Sequence, residues 1–191
     1  MDENEQLKRL LALIALNSDE SAYKELFMLM YHRLKQFAFS ILRSQEEAEE
    51  LVSDVFIKIW EKRTRLTLIE SPRLYFYIST KNLAITRLNR KKRGVLIEPN
   101  EWLAQLDSIY FDPEKLMITE DVFRQIQKAV SDLPPRCRMI FKLIKEDGLR
   151  YKEVAELLHL SIKTVENQMS IALKRISRCM RLDILHFPSS N

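Results

Sequence analysis

Between Ser71 and Arg93 the chain places seven basic residues (Arg73, Lys81, Arg87, Arg90, Lys91, Lys92 and Arg93) and no acidic one. Ser71-Pro72 starts a helix: a capping hydroxyl precedes a proline whose missing N–H costs nothing in the first turn. At about 100° per residue, Leu74, Tyr77, Ile78, Ala84, Ile85 and Leu88 share the side expected to be core. The opposite side collects Tyr75, Ser79, Asn82, Thr86, Asn89, Arg90 and Arg93. An ordinary solvated face mixes Glu with Lys. Amides, hydroxyls and an aromatic ring, followed by arginines, are instead what holding unpaired bases and their phosphates requires. The bland alternative is a basic surface helix that binds nothing. Lys81 falls on the apolar side and is expected to snorkel outward.

A second constellation lies near the other end. Asp132-Leu133-Pro134-Pro135 interrupts the chain before a helical run from Cys137 to Lys145, which Asp147-Gly148 closes with a left-handed C-cap. A short helix through Lys152–Leu158 follows, then the tight turn His159-Leu160-Ser161 and a longer helix from Ile162 that Ser161 can cap. Two helices joined by so short a turn, with the small Ala155 where they pack closely, form a helix-turn-helix. The second helix is expected to bury Ile162, Val165, Met169, Ala172, Leu173 and Ile176. Its outer face carries Lys163, Asn167, Ser170, Lys174 and Arg178. In this motif the start of the second helix enters the major groove, which puts Lys163, Thr164 and Asn167 nearest base edges. Lys174 and Arg178 fall nearer phosphates. An αα-hairpin that packs and binds nothing is the rival reading.

Positioning these faces requires helices, and the composition supplies them. The chain has 191 residues, 46% hydrophobic and 30% charged, with only 2 glycines. Two isolated glycines exclude Gly-rich phosphate loops and argue against strand-rich folds with many tight turns. Residues 1–93 hold 17 Lys/Arg against 13 Asp/Glu, residues 94–121 hold 1 against 7, and residues 122–191 hold 13 against 7. Gly94, Pro99 and Pro113 mark the acidic stretch as a linker. The reading is all-α: helical domains over 1–93 and 122–191, joined by an acidic linker over 94–121.

Further helices are legible in the first domain. Leu26, Met30, Leu34, Phe37 and Ile41 recur at three- and four-residue steps within Tyr23–Leu42. Ser44-Gln45-Glu46-Glu47 is a capping box for a helix striped by Leu51, Val52, Val55, Phe56, Ile59 and Trp60.

Enzymatic and metal chemistry finds no support. His32, His159 and His186 share no ligand spacing, and Cys137 beside an apolar run reads as a buried structural cysteine. The cluster Glu46-Glu47-Glu49-Glu50 is explained by a helix start and its dipole. No apolar run approaches a membrane span, and the acidic MDENEQ start is no signal peptide. The expectation is a cytoplasmic, non-enzymatic protein with no metal, cofactor, small-molecule substrate or membrane insertion.

The segment Glu50-Leu51-Val52-Ser53-Asp54-Val55-Phe56-Ile57-Lys58-Ile59-Trp60 resembles conserved region two of bacterial sigma factors. In that family this helix docks on the clamp helices of the largest polymerase subunit. The resemblance thus implies polymerase contacts for Asp54, Phe56, Lys58 and Trp60, although Phe56 and Trp60 stand equally well as core. Ser71-Pro72-Arg73-Leu74-Tyr75-Phe76-Tyr77, Asn82-Leu83-Ala84 and Arg87 through Arg93 are similar to the helix that melts and reads the −10 element. That likeness adds Arg87 to the DNA-contact set and gives Asn82 a place among promoter bases.

The run from Leu133-Pro134 through Gly148-Leu149-Arg150-Tyr151 to Lys163-Thr164-Val165-Glu166-Asn167 resembles region four, which reads the −35 element. It implies that Ser161 joins the recognition-helix contacts, and that Arg150, Tyr151 and Lys152 face the DNA backbone. Two such regions with only a linker between fit the extracytoplasmic-function (ECF) class. The fold implied is a three- to four-helix bundle followed by the helix-turn-helix domain. The partners implied are core RNA polymerase, promoter DNA and an anti-sigma factor. Many members carry several arginines along the recognition helix, where Glu166, Gln168, Ile171 and Leu173 stand here. The −35 sequence therefore stays open, and the resemblance does not carry over an arginine-to-guanine code.

Two rivals make different demands. A response-regulator or quorum-type activator, which Lys163–Asn167 also resembles, needs a sheet-bearing N-terminal domain. A helical adaptor that never touches DNA gives the polar face at Asn82 no role.

Overall fold

Local chemistry sets the helix boundaries. Asp19 Oδ1 accepts the Ala22 N–H at 3.0 Å, and Ser44 Oγ accepts the Glu47 N–H at 3.3 Å. The Ser44 hydroxyl in turn donates to the Glu46 carboxylate at 3.0 Å. Backbone and Ser44 donors hold the Glu46 carboxyl below its ordinary value. The structure is a computed structural model describing residues 3–91 and 120–184, and all regular structure among these residues is helical. The helices are α1 (Glu3–Asn17), α2 (Glu20–Leu42), α3 (Gln45–Glu61), α4 (Pro72–Lys91), α5 (Glu120–Ser131), α6 (Pro135–Lys145), α7 (Tyr151–Leu158) and α8 (Ile162–Ile184). A 3₁₀ turn spans Arg63–Leu68. The chain divides into two compact units, residues 1–102 and 103–191. Arg93 and nearly all of the expected linker lie outside the described residues.

In the first unit α2 packs on α1, α3 and α4, and α1 also covers the 3₁₀ turn. Leu7, Leu10, Leu11 and Ile14 of α1 meet a core built on Leu26, Met30, Leu34, Leu51, Val55, Phe76 and Tyr77. Aromatic rings bind it across helices: Phe27–Phe56 centroids lie 4.8 Å apart, Phe56–Phe76 5.9 Å, and Phe37–Tyr77 5.0 Å. Glu3 links three helices at the edge of this core, pairing with Arg33 of α2 and, at 3.0 Å, with Arg73 of α4. Buried hydroxyls turn to their own helices, Ser40 donating to the Phe37 carbonyl and Thr80 to that of Phe76.

The α4 wheel is corrected by this packing. Its buried arc runs through Arg73, Leu74, Phe76, Tyr77, Thr80, Lys81 and Ala84, while Ile78, Ile85 and Leu88 are only half-buried. Three helices cover α4, so the hidden arc follows its neighbours rather than its apolar residues alone. Lys81 does not snorkel outward; it is 3% exposed.

In the second unit α8 is the spine against which α5, α6 and α7 pack. Pro134 is extended (ψ 144°) and Pro135 takes the first position of α6. Gly148 at φ 68° lets the Leu149 N–H return to the Leu143 carbonyl at 2.9 Å. Three helix ends turn through the left-handed region without glycine, at Ser18 (φ 49°), Arg43 (φ 58°) and His159 (φ 52°).

Candidate nucleic-acid interface

On α4 the polar face is laid out in a graded way. Asn82, Thr86 and Arg90 are exposed, and Tyr75, Ser79 and Asn89 are half-buried. Tyr75 is held edge-on to the buried ring of Phe76, 6.1 Å between centroids, so the aromatic end of the face is anchored in the core. The Thr86 hydroxyl bonds the Asn82 carbonyl at 2.8 Å. Arg87 behaves differently from its neighbours. Its Nη2 donates to Asp54 Oδ2 at 2.6 Å, and its Nη1 donates to the Glu47 carbonyl at 3.2 Å and Glu50 Oε2 at 3.4 Å.

The α3 residues separate by exposure. Asp54 and Trp60 are half-buried and Lys58 is exposed. Phe56 is 1% exposed, ringed by Tyr23, Phe27 and Phe76, and so is a core residue with no surface to offer a partner. The Trp60 ring meets Tyr23 edge-on at 4.9 Å and carries the Arg63 guanidinium 5.0 Å above it. Exposed Ile57 sits beside Lys58, an apolar surface residue that the core stripe gave no reason to notice.

The second unit assembles its face almost entirely from local bonds. His159 ends α7 in the left-handed region, with its N–H reaching the Ala155 and Glu156 carbonyls. Ser161 Oγ accepts the Thr164 N–H at 3.0 Å, and the two hydroxyls lie 2.8 Å apart. This occupies the Thr164 hydroxyl at the helix start. Lys163, Asn167, Ser170, Lys174 and Arg178 are exposed along one side of α8, with Lys163 3.4 Å from Glu166. Arg150, Tyr151 and Lys152 are exposed at the start of α7, where the Arg150 N–H donates to Glu153 Oε2 at 2.8 Å.

Two expected core positions of α8 are corrected: Ile162 and Leu173 are each 46% exposed. The packed arc is narrower and passes through Val165, Met169, Ala172 and Ile176. Leu173 instead lines a shallow hollow with Tyr151, Glu166, Met169, Ser170 and Lys174. Cys137 is fully buried, and its thiol donates to the Gln168 carbonyl at 3.2 Å, tying α6 to α8. Burial pushes this thiol up, with Arg175 opposing. Among the described residues no group of three or more His, Cys, Asp or Glu is placed to hold a metal, and no helix is long and apolar enough to cross a membrane.

Comparisons with known proteins follow the same two-part division. Residues 26–94 match the sigma-70 region 2 family model and residues 123–176 match that of sigma-70 region 4. The chain is 21% identical over 163 residues to the ECF RNA polymerase sigma factor SigK of Mycobacterium bovis, spanning 85% of this chain and 87% of that one. It is 18% identical to the RNA polymerase sigma-H factor of Pseudomonas aeruginosa, spanning 85% and 88%. In fold it is similar to the sigma factor RpoE of Bartonella quintana, solved with the anti-sigma factor NepR. That match has a TM-score of 0.53 and 22% identity, over 84% of this chain and 98% of that one. CnrH, solved with the cytosolic domain of CnrY, gives a TM-score of 0.51 at 20% identity, over 93% and 99%.

Proposed function

Because the chain belongs to the ECF group of the sigma-70 family, we infer that it directs RNA polymerase to specific promoters and initiates transcription there. The observation that carries this reading is the ordered pair of region 2 and region 4 matches, each falling on a unit that presents its own polar, basic helix face. The response-regulator alternative is not favoured, since the first unit's described residues are helical throughout.

Residues 1–93 serve as region 2, 94–121 as an acidic linker and 122–191 as region 4. Asp54, Lys58 and Trp60 meet core polymerase in this reading. Tyr75, Ser79, Asn82, Thr86, Asn89, Arg90 and Arg93 hold the melted −10 strand, where stacking and amide hydrogen bonds offset part of the cost of unpairing. Lys163, Thr164, Asn167 and Ser170, with Ser161 capping their helix, meet the −35 duplex. Arg150, Tyr151, Lys152, Lys174 and Arg178 grip its backbone. The protein acts as an initiation factor without a catalytic group of its own, in the cytoplasm beside the polymerase. An anti-sigma protein is its regulatory partner, as NepR is for its structural neighbour.

Run-off transcription from a genomic fragment library, with competent core polymerase and with or without this chain, tests the reading. New start sites are expected only when the chain is present, and their absence would overturn it. Asn82→Ala combined with Arg90→Ala is expected to cripple open-complex formation on the recovered promoters. Unchanged transcription would instead favour a helical adaptor.

A further inference from the structure

Arg87 and Asp54 are expected on sequence grounds to serve different partners, promoter DNA and polymerase, yet they are bonded to each other. One guanidinium of α4 is held by three acceptors of α3: the Asp54 carboxylate at 2.6 Å, the Glu47 carbonyl at 3.2 Å and the Glu50 carboxylate at 3.4 Å. Its exposure orders the roles. The Arg87 side chain is 24% exposed, whereas those of Asp54 and Glu50 are 47% and 72% exposed. The cation is thus the inner member, and its donors point at α3. Asn82, Thr86 and Arg90 are exposed elsewhere on α4. A planar fork that spans two carboxylates and a carbonyl fixes the rotation of one helix against another in a way a single point charge does not.

Resting on the sigma-factor reading above, we propose that Arg87 is a positioning residue. It locks the C-terminal half of α4 to the polymerase-facing helix α3, so that Asn82, Thr86 and Arg90 meet the melted strand already oriented, and it makes no DNA contact itself. Unpaired bases arrive with their own conformational freedom, so a preset face removes part of the ordering cost. The Asp54–Arg87 pair also gives polymerase docking a direct route to the promoter-melting helix.

The test uses full-length chain in holoenzyme, on a promoter that the wild-type chain opens, at saturating core polymerase. Holoenzyme formation is measured separately. Opening is followed by the fluorescence of 2-aminopurine in the −10 element across a salt series. Arg87→Gln is expected to lower opening about tenfold or more with the salt dependence unchanged, because no phosphate contact is lost. Arg87→Lys is expected to recover part of the opening through Asp54.

Asp54→Asn discriminates by sign. If Arg87 positions α4, freeing it lowers opening per assembled holoenzyme, a quantity from which any loss of the polymerase contact assigned to Asp54 is divided out. The same change then has no further effect on it in an Arg87→Gln background. If Arg87 is a DNA contact, removing its competing anion raises opening, and Arg87→Gln makes the salt dependence shallower by nearly one counterion; either result overturns the proposal. Should Arg87→Gln fail to fold, the sign of the Asp54→Asn effect decides alone. Failure of the wild-type holoenzyme to open any promoter would count against the sigma reading itself, separately from Arg87.

Discussion

The two candidate nucleic-acid faces are built by different means. The α4 face depends on long-range contacts: Arg87 reaches back to α3, and Glu3 joins α1 to Arg73. The α8 face depends on its immediate sequence, with Ser161 capping Thr164 and Lys163 lying beside Glu166 one turn on. Lys174 and Arg178 are exposed along it, while the α4 face is mainly amide and hydroxyl. The contrast fits the targets proposed for them. Duplex DNA offers a regular row of phosphates that flexible cations can follow, whereas unpaired bases reward a face that is already in place.

The largest break in this contrast should come from the core beneath α4. Phe56→Ala is expected to cost the first unit about 3–5 kcal/mol, and to reduce opening through loss of fold. Chemical denaturation of the full chain measures it, and an unchanged transition would return Phe56 to the surface. Next in size, Lys174→Ala with Arg178→Ala should weaken duplex −35 binding and make its salt slope shallower by about two. Fluorescence anisotropy over a salt series reads this, and an unaltered slope would remove both residues from the backbone grip. Ser161→Ala should cost about 1 kcal/mol of second-unit stability, the usual loss of a helix cap.

Smaller still, Ile162→Ala and Leu173→Ala should each cost less than ~1 kcal/mol, because half of each residue already faces water. A larger loss in thermal unfolding would mean that the packed arc of α8 is wider than it looks. The finest test is chemical. In a Cys179→Ser background, burial should keep Cys137 slow to alkylate until the chain unfolds. Since burial raises its thiol above the ordinary value, its contribution to stability is full below that value and is lost as pH rises through the native one.

How legible these features were depended on how local their causes are. The helix-turn-helix could be read because its cap, turn and small residue all lie within a few positions of Ala155 and Ser161. The existence of α4 was equally clear from Ser71-Pro72. Its orientation was not, because three covering helices set the hidden arc and placed Lys81 within it. Helix α1 is legible in the three- and four-residue spacing of Leu7, Leu10, Leu11 and Ile14, although no helix is among the expectations there. Helix α5 is harder to see in the sequence, since its first residues belong to the acidic stretch that reads as linker. The Arg87–Asp54 pair spans 33 positions, and no spacing rule within one helix could have joined those residues.

The left-handed helix ends at Ser18, Arg43 and His159 bear on how such a protein can change. A residue with a Cβ carries about 1 kcal/mol of strain in that conformation; His159 sits in the turn of the helix-turn-helix itself, but the turns at Ser18 and Arg43 lie apart from the faces proposed to read DNA. A lineage altering Asn167 or Asn82 to suit a new promoter could recover lost stability by placing glycine at either of these two corners. Sequence preference and foldability would then evolve at separate addresses in the chain.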